Sequence, residues 1–411
     1  MTRASAPRGD VSAPVGSSLL TEAVPRSAVG RLHRALGQAA PALLAYAGVR
    51  AVGLLLMVVH AGPHRTLTRL ASLWDAWWYG QIMRTGYSAT KGMGHHGVVY
   101  SARAFFPLFP WLAEPFHRLL PISAGFSLLI VSWTASLVAA WGIYACAALV
   151  LDRRAGLVAA VLWGALPLAA VENMAYSEAM FTALCAWSLY AALTRRWFWA
   201  GWLGILAGLT RPTAMALTAA LGVAALAELV RWWRDRQQFP LPWRPLAGTL
   251  LSLAGWVGYI LWTGWREHSW TAYFRIQSAW NSSFDGGATT LHWFTHLLGH
   301  YHKGVGYTDR NLIMAATVLG YLVLFAASVV RRQPLVLVAF SAAMLVVDLG
   351  NAAPYPPLAR FLLPAFPLLF PLAERLARIR DRRVLVALLA LAALASGWHG
   401  VNVVFTGGAP A

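Results

Sequence analysis

Long apolar segments recur along this chain of 411 residues, and short polar stretches separate them. A helix of roughly 20 apolar residues crosses the hydrocarbon core of a bilayer. Charged residues make up 12% of the chain, whereas soluble domains carry roughly 25%. We therefore expect an all-α integral membrane protein of about 11 transmembrane helices. The candidate segments lie at about 41–62, 124–150, 155–171, 178–193, 197–211, 213–230, 246–264, 310–330, 334–350, 361–374 and 384–404.

The net charge of +18 is carried by short arginine clusters between the apolar segments. Cytoplasmic loops of membrane proteins have this excess of basic residues. The pattern therefore reflects membrane topology, and we expect no nucleic-acid partner. If the amino terminus is cytoplasmic, alternation places every later cluster on the same side and the carboxyl terminus outside. These clusters are 152–154, 195–196, 231–236, 331–332 and 375–383.

We expect one polytopic domain over residues 37–411. Residues 1–36 are rich in Ser, Ala, Pro and Arg and lack an apolar core, which is typical of a disordered tail, here a cytoplasmic one. Two predicted external connections, about 63–123 and 265–309, are long and rich in aromatic residues. Amphipathic stretches of this kind favour helices in the membrane interface. Because functional groups concentrate on such connections, we expect the active site at the extracytoplasmic face of the cell membrane.

The run Trp74-Asp75-Ala76-Trp77-Trp78-Tyr79 places one carboxylate among aromatic side chains, just after the first apolar segment. The chain has only 15 acidic residues, and an acid near hydrocarbon is costly unless it has a function. The stretch that begins at Ser72 also fits a capping box, with Ser72 as N-cap and Asp75 at the third helical position. Both interpretations are compatible, because a cap would orient a carboxylate that acts as base. Tyr79, four residues on, shares the helical face of Asp75.

Two further acids, Glu172 and Glu178, lie between apolar segments at the predicted outer face. Carboxylates this close to hydrocarbon indicate a function, and we expect each to orient Asp75 or to contact an acceptor. The alternative for Glu178 is structural: it would cap, or form a salt bridge with, the helix that begins there.

Three of the arginines on the predicted outer side are candidates for a function, because topology does not explain them: Arg103, Arg211 and Arg360. Arg211 and Arg360 interrupt apolar stretches near proline, and Arg103 precedes Phe105-Phe106-Pro107. A guanidinium binds phosphate bidentately and stays charged, so a phosphate at the level of the lipid headgroups would account for them. The alternatives are arginines that snorkel to the interface and, for Arg103, an aromatic belt with a proline-broken helix.

The second long connection contains an amphipathic stretch, residues 273–280, that includes Gln277 and Trp280. We expect this stretch to cover the site or to contact an acceptor. His292, His296 and His300 follow at four-residue spacing, without a nearby cysteine or an acid within the repeat. A helix would align the three histidines as zinc ligands can be aligned, but metal binding is the less favoured interpretation because the ligand set is incomplete.

These motifs, in this order, resemble the GPI mannosyltransferase family that adds the second mannose (PIG-V type) and its bacterial relatives. The similarity extends over about residues 40–405. It rests on Trp74-Asp75 to Gly86-Tyr87, Phe105-Phe106-Pro107, Tyr176-Ser177-Glu178, Thr210-Arg211-Pro212, Gln277 to Trp280, and Arg360 with Phe366-Pro367.

The resemblance implies the GT-C glycosyltransferase fold and a donor that carries mannose on polyprenyl phosphate. It also implies that Asp75 is the catalytic acid of the first external loop. We predict that Asp75 acts as general base in an inverting transfer and that Arg211 and Arg360, with Arg103, hold the donor phosphate. No metal or other cofactor is expected. The other partners would be membrane lipids and a lipid- or glycan-linked acceptor.

Two alternatives stay open: a transporter or flippase for a lipid-linked sugar, and a GT-C enzyme that uses another polyprenyl-linked sugar. A transporter predicts charges near the bilayer midplane and internal repeats. The acids and arginines described above lie at the predicted outer interface, and no convincing repeat is present. The sequence therefore favours an enzyme.

Overall fold

The computed structural model describes residues 28–234, 241–301, 309–352 and 359–406, and most of them are helical. The helices are α1 (Ala28–Ala61), α2 (Pro63–Ser72), α3 (Asp75–Thr85), α4 (Leu108–Leu119), α5 (Ala124–Val150), α6 (Arg153–Gly164), α7 (Glu178–Leu193), α8 (Trp197–Gly208), α9 (Ala214–Arg234), α10 (Trp243–Arg266), α11 (Ala272–Ser278), α12 (Ala288–Tyr301), α13 (Asp309–Val330), α14 (Leu335–Leu349), α15 (Phe370–Ala377) and α16 (Arg382–Phe405).

The chain divides into two units, Met1–Gln38 and Ala39–Ala411. In the first unit, the described residues form the start of α1. The predicted tail, 1–36, therefore overlaps this helix from Ala28 onward, and its remainder lies outside the described residues. In the second unit, a large apolar core packs α5, α6 and α7 with α9 and α14, and a smaller one packs α2, α3 and α4 against α5.

Six described helices are long and apolar enough to cross a membrane: Val29–Ala61, Ala124–Val150, Ala214–Arg234, Trp243–Arg266, Asn311–Val330 and Arg382–Phe405. Three apolar helices, α7, α8 and α14, are shorter. The helices of a polytopic membrane protein are thus confirmed, while the count of eleven stays a prediction.

Two predicted segments are wrong in their extent. The helix expected at 155–171 ends at Gly164, and the one expected at 361–374 is divided into 3₁₀ turns, Ala359–Leu362 and Phe366–Leu369, followed by α15. Proline explains both breaks, because it lacks the backbone N–H and disfavours helix in the preceding residue. Pro167 follows α6, and Pro364 lies between the two turns.

The chain between α6 and α7 is buried although it is not α-helical. Side chains from other helices bond its carbonyl oxygens. Arg50 donates to the carbonyl of Gly164 (3.1 Å), Ser396 to that of Leu166 (2.6 Å) and Trp133 to that of Asn173 (3.0 Å). Irregular backbone is tolerated at membrane depth only where protein groups bond it. This segment is therefore a fixed support for the residues that begin α7.

Helices α8 and α10 approach so closely that their contact admits only small residues. Gly201, Gly204 and Gly208 of α8 face Gly248, Ser252 and Gly255 of α10. A Cβ atom on Gly201 would lie 2.5 Å from the carbonyl oxygen of Gly248, which is shorter than real contacts allow. Small residues at such interfaces let two backbones pack directly in a membrane. The contact holds the carboxyl end of α8, which leads directly to Arg211.

The two long connections contain the expected amphipathic helices, α2 to α4 in the first and α11 and α12 in the second. They also contain short strands, which the all-α expectation left out. Strand β1 (Thr90–Met93) pairs with β2 (Val99–Ser101), and β3 (Ser283–Phe284) pairs with β4 (Asn351–Ala352), both antiparallel. Strand β4 follows α14 after Gly350, so the second connection is tied to the end of α14.

Candidate active site

Asp75 is the first residue of α3, and Trp74 is its N-cap, with no capping hydrogen bond from a side chain. The predicted capping box is wrong. Ser72 ends α2 instead, and its hydroxyl donates to the carbonyl oxygen of Thr68 (2.7 Å). The reason is that the chain breaks at Leu73 and Trp74, so Ser72 belongs to the preceding helix. Asp75 stands in the first turn of α3, where the helix dipole favours a negative charge.

Trp74 has a backbone φ of 48°, in the left-handed region that favours glycine. A residue with a side chain held in a sparsely populated conformation costs about 1–3 kcal/mol and persists only where its surroundings hold it. Trp74 immediately precedes Asp75, so the backbone strain lies next to the carboxylate of interest.

Arg360 binds Asp75 directly. Its Nη1 lies 3.0 Å from Oδ2 of Asp75. The guanidinium of Arg360 also stacks over the rings of Tyr176 (5.3 Å) and Phe361 (4.8 Å). The backbone N–H of Asp75 donates to the hydroxyl of Tyr176 at 3.4 Å. Residues distant in the chain therefore enclose the amino-terminal end of α3.

Glu178, the buried first residue of α7, lies between the two arginines. Its Oε1 is 2.8 Å from Nη1 of Arg211 and 3.8 Å from Nε of Arg360. Arg211 also donates to the hydroxyl of Ser177 (3.2 Å), which accepts a second hydrogen bond from Tyr79 (2.8 Å). Asp75, Arg360, Glu178 and Arg211 thus form one continuous ion-pair group.

This ion-pair group combines two carboxylates and two guanidinium groups in a largely buried setting. Burial lowers the pKa of Arg360, but the charges of Asp75, Glu178 and Tyr176, together with the hydrogen bond to Asp75, raise the pKa by more in sum, so Arg360 stays charged. For Tyr79, burial raises the pKa, so this phenol is neutral and can donate a hydrogen bond to Ser177. Two fixed cations can bind an anion, and the adjacent carboxylate can accept a proton.

The structure pairs Arg103 with a different acid. Nη1 of Arg103 lies 2.7 Å from Oε1 of Glu267, which directly follows α10, and Arg275 approaches the other oxygen of Glu267 at 3.9 Å. The carbonyl oxygen of Arg103 accepts a hydrogen bond from Tyr259 (2.9 Å). Arg103 therefore joins the two long connections, and the geometry does not group it with Arg211 and Arg360.

Glu172 also belongs to a separate group. It accepts a hydrogen bond from the hydroxyl of Tyr46 (2.6 Å) and lies 3.6 Å from Nε of Arg50, both on α1. Burial raises the pKa of Glu172 to about 7, against the opposing effects of Arg50 and Tyr46. The contacts with α1 account for the burial of Glu172, and they do not involve Asp75.

Gln277 and Trp280 hold the two long connections together. Gln277 donates to the carbonyl oxygen of Ala104 (3.1 Å) and to the hydroxyl of Tyr273 (2.8 Å). The ring of Trp280 contacts those of Trp78 on α3 (5.8 Å) and Tyr100 on β2 (4.7 Å). Trp280 therefore packs beside the helix that carries Asp75, and its role in covering the site stays a prediction.

His292 and His296 lie on α12 with ring centroids 6.0 Å apart. The side chain of His300 is outside the described part of the chain. Among the described residues, no three His, Cys, Asp or Glu side chains are grouped closely enough to hold a metal ion.

One buried acid was missed by the sequence reasoning. Asp348 ends the apolar helix α14, is buried, and interacts electrostatically with Arg360. Its Oδ2 has no hydrogen-bond partner among the described residues. The pattern that could have revealed it was present, because Asp348 is the single charged residue of the run Leu335–Leu349.

Known proteins resemble this chain in sequence over part of its length and in fold over most of it. A family model described as dolichyl-phosphate-mannose-protein mannosyltransferase matches residues 103–262. The crystal structure of ArnT from Cupriavidus metallidurans bound to undecaprenyl phosphate superposes with a TM-score of 0.50 at 15% sequence identity, over 84% of this chain and 61% of that one. The chain has the fold of the GT-C glycosyltransferases.

A second solved structure, the archaeal oligosaccharyltransferase AglB from Archaeoglobus fulgidus in complex with an inhibitory peptide and a dolichol-phosphate, is less similar. Its TM-score is 0.45 at 14% identity, over 87% of this chain and 55% of its own. The chain therefore spans about three fifths of the length of the solved structures it matches. No curated protein matches the sequence significantly. The GT-C fold is confirmed, and the closer resemblance to the PIG-V type stays a prediction.

Proposed function

We propose that this protein is a membrane mannosyltransferase. It transfers mannose from polyprenyl-phosphate mannose to a hydroxyl of a lipid- or glycan-linked acceptor, with inversion at the anomeric carbon. The observation that carries the proposal is the continuous group of Asp75, Arg360, Glu178 and Arg211. It places a carboxylate of a first-loop motif beside two arginines that can bind a phosphate. The GT-C fold and the partial family match support the same reaction class.

In the proposed reaction, Arg211 and Arg360 bind the donor phosphate. The acceptor oxygen attacks the anomeric carbon on the face opposite the phosphate, and its proton passes to the carboxylate of Asp75. The bond between the anomeric carbon and the phosphate oxygen breaks, and the electron pair stays on the phosphate. The two guanidinium groups stabilise the charge that develops there. General base catalysis requires the carboxylate within hydrogen-bond reach of the attacking hydroxyl.

The other residues of the group position the arginines. Glu178 lies in the first turn of α7 and forms ion pairs with both guanidinium groups, while Ser177 and Tyr79 orient Arg211. Arg103 is left out of the phosphate-binding pair because Glu267 holds it. The chemistry requires no metal ion, since a bidentate arginine can neutralise a phosphate by itself.

The proposed setting is the cell membrane, with a cytoplasmic amino terminus, an extracytoplasmic carboxyl terminus and the active site on the extracytoplasmic side. The arginine clusters between the spans support this orientation. Single cysteines placed in the β1–β2 hairpin and in the cluster at residues 152–154 would react with a membrane-impermeant thiol reagent from opposite sides. Labelling of both from the same side would contradict the orientation.

The decisive experiment uses purified protein in liposomes with radiolabelled polyprenyl-phosphate mannose and candidate glycolipid or glycan acceptors. Transfer of label to an acceptor supports the enzyme. The matched comparison is the same lipid with glucose in place of mannose, and preference for glucose would reassign the sugar. Movement of the lipid across the bilayer without transfer to any acceptor would favour a flippase and overturn the proposal.

A further inference from the structure

Arg360 binds the same carboxylate that the proposed function uses as base. Nη1 of Arg360 and Oδ2 of Asp75 are 3.0 Å apart, and neither side chain is more than 20% exposed. A guanidinium reaches its full affinity for phosphate through two parallel N–H donors. In the arrangement seen here, one of those donors is committed to Asp75. Oδ2 of Asp75 is engaged in the same ion pair, so an acceptor hydroxyl would compete with Arg360 for that carboxylate.

The charges of the group balance before any substrate enters. Asp75 and Glu178 offset Arg211 and Arg360. A donor phosphate adds an anion, so three negative groups would then share two cations in a poorly solvated place. Buried charge without a partner is strongly unfavourable. One carboxylate must therefore move away from the arginines when the phosphate binds.

The geometry indicates which carboxylate moves. The side chain of Glu178 is 1% exposed and lies between both arginines, so it has no route to solvent. The side chain of Asp75 is 20% exposed, contacts Arg360 alone among the arginines, and stands at the amino-terminal end of α3. Its neighbour Trp74 holds a strained backbone conformation, and relief of this strain would favour a shift of the helix start.

We infer that the donor phosphate displaces Asp75 from Arg360 and thereby frees the base for the acceptor. This inference rests on the proposed function. Arg360 masks Asp75 until the phosphate takes its place, so the donor binds before the acceptor can be activated. The exchange makes no covalent bond: one ion pair, Arg360 with Asp75, is replaced by another, Arg360 with the phosphate. An acceptor hydroxyl then occupies the hydrogen-bonding position that Arg360 has left.

The exchange and a purely structural role for Asp75 predict opposite changes in phosphate affinity when Asp75 is replaced. If Asp75 competes with phosphate for Arg360, Asp75→Asn strongly reduces transfer but strengthens phosphate binding. If Asp75 merely holds Arg360 in place, the same change weakens phosphate binding. The sign of the change in affinity separates the two roles.

The test measures the Kd of a short-chain polyprenyl phosphate for the full-length protein in nanodiscs, by isothermal titration calorimetry. We expect Asp75→Asn to lower the Kd by roughly 10-fold, the scale of one hydrogen bond to a charged group. Asp75→Ala, which also removes the competing carboxylate, should lower it in the same direction. Arg360→Met should raise the Kd at least about 10-fold, because the phosphate loses a charged donor.

Two controls isolate the phosphate and the site. The corresponding polyprenyl alcohol, which lacks the phosphate, should bind all variants equally. Glu228→Gln is the matched acid-to-amide change in a different arginine pair, with Arg195 and Arg231, and should leave the Kd unchanged.

An unchanged or raised Kd in both Asp75 variants, with mannose transfer intact in the unaltered protein, overturns the exchange and leaves the proposed function standing. Absence of both polyprenyl-phosphate binding and transfer in the unaltered protein overturns the proposed function and the exchange together.

Discussion

Glu178 should contribute more to stability than any acid at the surface of this protein. It is buried at the start of α7 and faces two guanidinium groups. Glu178→Gln keeps the volume of the side chain and removes its charge. Arg211 then loses its only carboxylate among the described residues, and Arg360 keeps Asp75.

The size of the effect follows from the distances. At 2.8 Å and 3.8 Å, with an effective dielectric constant of about 20, the attractions of Glu178 to Arg211 and Arg360 are about 6 and about 4 kcal/mol. The cost of burying the carboxylate offsets a large part of this attraction. Removal of one partner from a buried ion pair typically lowers the free energy of unfolding by about 3–5 kcal/mol, and we expect a loss in that range.

The assay is thermal unfolding of purified variants in one detergent, followed by tryptophan fluorescence. At roughly 2 °C per kcal/mol for a large chain, Glu178→Gln should lower the Tm by roughly 6–10 °C. The matched control is Glu228→Gln, whose partners Arg195 and Arg231 are 69% and 63% exposed. Exposed pairs contribute at most about 1 kcal/mol, so this control should lower the Tm by no more than roughly 2 °C.

Equal shifts in Tm for the two variants would refute the reasoning, because they would mean that the buried pair is no stronger than an exposed one. A raised Tm in Glu178→Gln would refute it more directly. That result would mean that the desolvation cost of Glu178 exceeds its attraction to both arginines.

The remaining predictions concern turnover, packing and pH. Asp75→Asn should reduce turnover by about 10²–10⁴-fold in a protein that still folds, since it removes the proposed base; near-normal turnover would contradict that role. Arg360→Lys should also reduce turnover, because an ammonium cannot replace bidentate contact with phosphate, and turnover equal to that of the unaltered protein would remove Arg360 from the phosphate site. Gly255→Val should prevent stable folding, because its Cβ would collide with the carbonyl oxygen of Ile205. Gly258→Ala, at an open position, should be tolerated. The measurement is the yield of monodisperse protein, and equal yields would contradict the close packing of α8 and α10. Burial raises the pKa of Glu172 from an ordinary 4.5 to about 7. Between these two pH values, the folded state holds a proton that the unfolded state has released. The free energy of unfolding should therefore fall as the pH rises from about 4.5 to about 7. Glu172→Gln should flatten that part of the pH profile of Tm, and an unchanged profile would exclude Glu172 as its source.

The membrane helices were largely predictable, because apolar length is a local property of the sequence. Two expected segments, 124–150 and 178–193, coincide with α5 and α7. The prediction was wrong where proline interrupts an apolar run, at Pro167 and Pro364. There, the missing backbone donor and the restriction on the preceding residue outweigh hydrophobicity.

The four residues of the ion-pair group were named from the sequence, but their pairing was not. Asp75, Arg211 and Arg360 stood out because charge is expensive near hydrocarbon. Their sequence positions did not reveal that Glu178 would join the two arginines, or that Glu267 would hold Arg103. Those partners lie far apart in the chain, and only the packing of helices brings them together.

The sequence by itself determined that this chain enters a membrane, roughly where its long apolar helices lie, and which few charges require a partner there. These properties depend on neighbouring residues and on the cost of transferring them from water to lipid. The tertiary structure alone decided that Arg360 pairs with Asp75 and that Glu178 forms ion pairs with both arginines. Ion pairing depends on distances of a few ångströms between distant segments, and these follow from close packing and from the buried turns between helices.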